Sequence, residues 1–236
     1  VVDLYEKEER LGGTLWAAGM PTFKHDVLKL ITYLERQCLK TGVNVYLNTE
    51  FTLKDAKKDY DKVILSAGSS PMMPPIPGIE KAGFVSEFLT DRKEAGKQKV
   101  IIGGGLEGCE AECYLKENAE TVTIIEMQED ILFGCDHCLN NDQALRQMLQ
   151  DNNINKITKA TVTKIEDNRV TYLQDNQEYT IVCDTIINAA GFKPNDQLED
   201  ALEEIYDDVT VIGDAKAPRK ILTAIHEGYH AIRVME

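Results

Sequence analysis

The chain has 236 residues, 43% of them apolar, enough for one large domain or two small ones with real cores. Its formal net charge of -14 argues against nucleic acid or an anionic membrane surface as partner. No run reaches the apolar length of a membrane span and no basic-then-apolar leader opens the chain; its six cysteines fit a reducing compartment, so the cytoplasm is expected.

Val1 to Glu6 reads as a strand closed by an acid, followed by a loop from Arg10 to Leu15 that is rich in backbone N–H groups. His25 to Thr41 predicts a helix with Val27, Leu30, Ile31, Leu34 and Cys38 on one face and Gly42 as its stop. Val43 to Leu47 is a short strand and Lys54 to Lys62 a polar connection. Val63 to Ala67 is a buried strand that ends at Gly68, and Pro71, Pro74, Pro75 and Pro77 then mark a linker.

A second unit starts near Lys97. Val100 to Glu110 reads as a strand, a glycine turn and the start of a helix, with Gly103, Gly105 and Gly108 in G-x-G-x-x-G spacing. The spacing has a mechanism: the first glycine makes the turn, the second lets backbone approach a pyrophosphate, and the third lets helix and strand pack closely. Glu126 ends the next strand, Val122 to Glu126, where an acid takes ribose hydroxyls. After a loop through Cys138, Asp142 to Asp151 is a short helix. Lys159 to Val182 alternates in three runs split at Glu166–Asn168 and Gln174–Gln177, an antiparallel meander. Asp184 to Ala190 is a buried strand ending at Gly191, and Val209 to Asp214 is a strand and turn. Pro218 is expected to open a last helix to about Met235.

The two halves repeat each other. Glu6 and Gly68 stand 62 positions apart, Glu126 and Gly191 65. The order matches too, so two dinucleotide folds are expected. The second half has a strand, a glycine turn and a helix before its acid; the first has five residues. By that measure the first half lacks about 20 residues. The expected fold class is α/β, with two Rossmann-like dinucleotide-binding domains of the pyridine nucleotide-disulfide oxidoreductase type. One domain comprises residues 1–92 plus 206–236, and the other, inserted in it, residues 93–205.

Glu6 with Arg10-Leu-Gly-Gly13, Gly213-Asp214, and Pro218 to His230 resemble the C-terminal module of the NADH:flavin oxidoreductase family, which includes dienoyl-CoA reductases, enoate reductases and trimethylamine dehydrogenase. The resemblance implies FAD in the first domain. Glu6 would meet the adenosine ribose; Arg10, Gly12, Gly13, Thr14 and Leu15 would line the diphosphate and ribityl chain; the Phe51 backbone would meet the adenine. Ala67 and Gly68 would pass close to the cofactor, Asp214 would bind the ribityl chain with Gly213 making room, and the helix end near Ile221 would face the flavin. It places a nicotinamide nucleotide on Gly103, Gly105, Leu106, Glu107, Gly108, Glu126 and Gly191. NADH is favoured over NADPH because Glu126 would repel a 2′-phosphate. It further implies a preceding barrel domain with FMN and an iron–sulfur cluster, to which electrons pass for reduction of an enoate or enoyl-type substrate.

Other readings compete. The alternative is a nucleotide-binding fragment that turns nothing over. Cys135 and Cys138 form a C-x-x-C that would suit a dithiol reductase, with a loop pair as the plainer reading. His226-Glu227-Gly-Tyr-His230 matches a zinc-protease helix, but the family's closing helix accounts for the string and no metal is expected. Hydride transfer needs stacked rings more than a protein acid or base, so no residue is assigned as catalytic. Glu110 is placed to approach the nicotinamide side or simply to pack.

Overall fold

The computed structural model describes the chain apart from residues 57–59, 91–92, 117–118, 136–138 and 235–236. The elements run β1 (Asp3–Tyr5), α1 (Leu15–Ala18), α2 (Asp26–Lys40), β2 (Asn44–Tyr46), β3 (Val63–Leu65), β4 (Ser69–Pro71), β5 (Gly83–Phe84), α3 (Val85–Leu89), β6 (Gln98–Ile102) and α4 (Leu106–Leu115). There follow β7 (Thr121–Ile125), α5 (Leu139–Asp151), β8 (Asn155–Ile157), β9 (Ala160–Glu166), β10 (Arg169–Gln174), β11 (Gln177–Val182), β12 (Thr185–Asn188), β13 (Phe192–Pro194), α6 (Glu199–Glu203), β14 (Val209–Val211) and α7 (Ile221–Arg233). Contacts divide the chain into two units: Val1–Gly13, Tyr33–Met72 and Phe192–Glu236 form the first, Thr14–Thr32 and Met73–Gly191 the second. Residues 73–92 therefore cluster with the second unit, and 192–205 with the first.

The second unit is built on a five-stranded parallel sheet in the order β5-β12-β6-β7-β8. Its central strand carries apolar side chains in an unbroken run because both faces are covered. Ile101 and Ile124 face one layer, with Cys109, Leu145 and Leu149 from α4 and α5 and Phe88 from α3. Val100, Ile102 and Ile125 face the other, with Val162, Ile165, Val170 and Tyr172 from the meander. The meander is the antiparallel sheet β11-β10-β9. Asp175 and Asn176, both at positive φ, make its second turn, the conformation a two-residue hairpin loop requires.

The first unit holds its parallel strands as two ribbons, β1-β2 and β14-β3, with an antiparallel pair β13-β4 beside them. Leu65, Leu202 and Tyr206 are its buried centre, with Phe51, Tyr60 and Val63 against them. Together the units give the expected α/β, doubly dinucleotide-type fold. The start of the last helix differs from expectation. Pro218 lies outside α7, which starts at Ile221 after an extended Lys220. The preceding turn is held instead by the Arg219 N–H, which donates to Asp214 Oδ1 at 3.1 Å.

Candidate functional site

In the second unit, β6 is flanked by β7 on one side and β12 on the other, so the chain direction switches at its carboxyl end. Open parallel sheets bind ligands at such a point. The glycine turn sits there. Gly103 has φ +110, and a Cβ on it would lie 2.3 Å from the Ala189 carbonyl oxygen; a Cβ on Gly108 would lie 2.1 Å from the Gly103 oxygen. Both contacts are with backbone, so only glycine fits. At Gly105 a Cβ would meet nothing within 4 Å. That backbone is open, and Gly105 caps the N-terminus of α4. The three positions thus divide into two of tight packing and one of free approach, as a pyrophosphate-binding turn needs.

Glu126 directly follows β7 and is buried. Its Oε2 accepts from the Gly104 N–H at 2.6 Å and its Oε1 from the Gln128 N–H at 2.7 Å. The acid therefore braces the glycine turn from beneath as well as closing the strand. Leu106 and Glu107 lie in the first turn of α4, and Gly191, at φ +98, follows β12. Burial first, then the neighbouring Glu110, pushes the Glu107 carboxyl up to about 7, against the opposing pull of Lys24. Glu110 pairs with Lys24 at 2.6 Å, both side chains being about three-quarters covered. Lys24 was not anticipated: it stands 86 positions before its partner, in a stretch without a motif.

In the first unit the expected residues fall into two groups. Glu6 follows β1 and accepts from the Glu8 N–H at 2.9 Å, while the Phe51 ring meets the Tyr5 ring edge-on with centroids 5.2 Å apart. Gly12 and Gly13 both have positive φ, and Gly13 has open space where a Cβ would be. Arg10 is exposed. The contact division falls inside this expected loop, leaving Thr14 and Leu15 in the other unit.

The second group gathers at the carboxyl ends of β3 and β14, which pair Val63 with Val209. Asn195 ties down the turn after β3: its Nδ2 donates to the Ala67 oxygen at 3.0 Å and its N–H to the Gly68 oxygen at 3.1 Å. Ser69 Oγ donates to Asp214 Oδ2 at 3.2 Å. The Gly213 N–H donates to Glu227 Oε2 at 2.8 Å, and Glu227 Oε1 accepts from Arg219 at 2.5 Å. Burial alone would raise the Glu227 carboxyl, but the Gly213 N–H and Arg219 outweigh it and hold it below its ordinary value. Asn195, Ser69 and Glu227 were missed as anchors because each acts through a non-local turn. A hollow of about 270 Å³ between Asp196, Glu199 and Lys216 is lined by none of the expected site residues.

The rival readings fare differently. Glu227 is engaged with Gly213 and Arg219, and His226 and His230 are exposed on α7. Among the described residues no group of three or more potential ligands could hold a metal. Cys138 lies outside the described residues, so the Cys135–Cys138 pair has no geometry to report. Cys109 and Cys113 are buried free thiols; burial pushes the Cys113 thiol up to about 12. No described helix is long and apolar enough to cross a membrane.

A family model described as pyridine nucleotide-disulphide oxidoreductase matches residues 15–226. The chain is 32% identical to a cinnamate reductase of Clostridium sporogenes, over 98% of this chain and 35% of that protein. It is 33% identical to an NADH oxidase of Thermoanaerobacter brockii, over 97% of this chain and 36% of that protein. It therefore spans about a third of the length of these curated relatives. Among solved structures, a 2-naphthoyl-CoA reductase complex superposes with a TM-score of 0.90 at 28% identity, over the whole of this chain and 36% of that one. A thioredoxin reductase of T. acidophilum superposes at 0.75 with 19% identity, covering 98% of this chain and 88% of that one, which speaks for the fold alone.

Proposed function

Because this chain belongs to the pyridine nucleotide-disulphide oxidoreductase family, we propose that it is the NADH-accepting module of a flavoprotein reductase. The observation that carries this reading is the glycine turn at the switch point: Gly103 and Gly108 packed too tightly for any Cβ, and Gly105 open. Gly103, Gly105, Leu106, Glu107, Gly108, Glu126 and Gly191 would hold the nicotinamide nucleotide. In the first unit Glu6, Arg10, Gly12, Gly13, Phe51, Ala67, Gly68, Gly213, Asp214 and Ile221 would hold FAD. The open backbone at Gly13 and the braced Gly213–Asp214 turn fit such a ligand.

FAD, when bound, supplies the hydride acceptor. The chain's own contribution is binding and orientation. Gly105 and the α4 N-terminus receive phosphate charge, Glu126 holds the turn in shape, and Lys24 neutralises Glu110. The names of the relatives, cinnamate reductase and 2-naphthoyl-CoA reductase, support an enoate or enoyl-type final substrate. Reduction of that substrate would take place on a separate FMN and iron–sulfur barrel domain.

A second reading keeps one observation in its favour. Among the described residues β1 pairs only with β2, and β3 only with β14, so the described parallel strands of the first unit do not form one sheet. A further strand joining them would complete the flavin domain; without it the chain would bind nucleotide and turn nothing over. Absorbance of the purified chain and NADH-dependent dye reduction after adding FAD separate the two. A flavin band with turnover supports the reductase. Saturable NADH binding without either leaves a binding module.

A further inference from the structure

The third variable position of the glycine motif is occupied by an acid. Glu107 stands in the first turn of the ten-residue helix α4, half-buried, two residues past the open backbone of Gly105. Among the described residues no hydrogen bond or ion pair holds its carboxylate. Glu110, one turn on, has Lys24 at 2.6 Å; Glu107 has no such partner of its own. The charged groups acting on it are Glu110 from its own helix and Lys24 from the turn Thr22–Lys24. Two carboxylates and one ammonium leave one negative charge uncompensated. A helix N-terminus offers roughly half a positive charge. A dinucleotide would add two negative charges at the same place.

We propose that Glu107 takes up a proton when a pyrophosphate-bearing nucleotide seats on the Gly103–Gly108 turn, so that affinity at this site is coupled to pH. The inference rests on the nucleotide site proposed above and adds its regulation. The balance is simple: one solvent proton converts the carboxylate to the acid, and no bond in the ligand changes. The neutral acid no longer repels phosphate, and its O–H becomes a donor. Burial and Glu110 already hold the empty site's carboxyl near neutrality, up to about 7, so the uptake falls in an accessible range. Below that range the group is protonated beforehand and binding takes up little. Above it, the proton must be drawn from solvent, and affinity falls as pH rises.

The test is calorimetric titration of the whole chain with NADH and with ADP-ribose between pH 6.5 and 8.5, at pH 8 in two buffers of different ionisation enthalpy. The expected result for both ligands is a Kd that weakens about tenfold across the range, with uptake approaching one proton at pH 8. Glu107→Gln, checked for folding by circular dichroism, should bind tightly at pH 8.5 with no pH dependence and no uptake. Tight, pH-independent binding by the unmodified chain overturns the coupling and leaves the nucleotide site standing. A pH dependence that survives in Glu107→Gln, or that appears with NADH but not ADP-ribose, also overturns it. No binding by either protein at any pH sinks the nucleotide site, and the coupling with it.

Discussion

A Cβ placed on Gly108 would stand 2.1 Å from the carbonyl oxygen of Gly103, closer than any side chain tolerates. Both residues are backbone-limited, so neither can yield without moving β6 against α4. Gly108→Ala should therefore open the turn and reduce NADH affinity more than tenfold, a loss above about 1.4 kcal/mol. Fluorescence titration with NADH reads the affinity, and a thermal melt reads the accompanying destabilisation. Unchanged affinity would remove the turn from the nucleotide site.

Glu126 accepts two backbone N–H groups, one of them inside the glycine turn. Glu126→Ala leaves a buried Gly104 donor unpaired, at a cost of about 1–3 kcal/mol in stability. It also removes the charge that would repel a 2′-phosphate. The variant should melt earlier, bind NADH several-fold more weakly and discriminate less against NADPH. Parallel titrations with the two nucleotides check this; an unaltered preference would show that Glu126 braces the turn and does not select the ligand.

Much of this site was legible because its determinants are local. Gly103, Gly105 and Gly108 lie within six residues, and Glu126 directly follows a five-residue strand. The meander was readable from alternation and from Asp175-Asn176. The β4–β13 pair was not. Pro71 faces Phe192 and Ser69 faces Pro194, and prolines that mark a linker in sequence are tolerated in a two-stranded edge pair. Anchors such as Asn195 on Ala67, or Lys24 on Glu110, depend on folds of the chain that no local pattern encodes. The start of α7 was misplaced because proline suits a first helical turn, whereas here Arg219 and Asp214 set the turn that precedes it.

Glu112 is fully buried on α4, and both carboxylate oxygens lack a hydrogen-bond partner among the described residues. Burial raises its carboxyl well above the ordinary value, opposed weakly by Lys116 and Lys156. The group is therefore neutral in the folded chain at pH values where it is ionised in the unfolded one. Stability is unaffected below the unfolded value and declines as pH rises above it towards the folded value. Glu112→Met should stabilise by about 1–3 kcal/mol near neutrality, with little gain at pH 4. Urea unfolding at pH 4, 6 and 8 measures the trend, and a constant difference would contradict it.

Glu227 has the opposite sign. Its carboxyl is held below the ordinary value, so its contribution is present above the unfolded value and lost as pH falls through the folded one. Glu227→Ala should loosen the Gly213–Asp214 turn, lower the melting temperature at pH 7 and weaken retention of added FAD about tenfold. Near pH 3 the melting temperatures of variant and parent should converge. If they differ equally at both pH values, packing and not charge explains the loss.

The zinc-protease string on α7 makes a separate prediction. With Glu227 committed to Gly213 and Arg219, His226 and His230 form no three-ligand centre among the described residues. EDTA should leave the melting temperature and NADH binding unchanged, and metal analysis of the purified chain should find less than a tenth of an equivalent of zinc. Stoichiometric zinc would overturn this.

The first unit takes its strands from both ends of the second. Lys62 and Asp208 form an ion pair across a separation of 146 residues, beside the β3–β14 ribbon. On the ribosome β1 and β2 can pair early, but β3 must wait for the body of the second unit to be made before β14 emerges. At ordinary elongation rates that wait is on the order of ten seconds, long against the microseconds in which strands explore partners. The sheet around the Glu227–Gly213 brace is thus the last to form and the first at risk during synthesis, and its yield in cells should depend more on chaperones and on translation speed than that of the unit carrying the glycine turn.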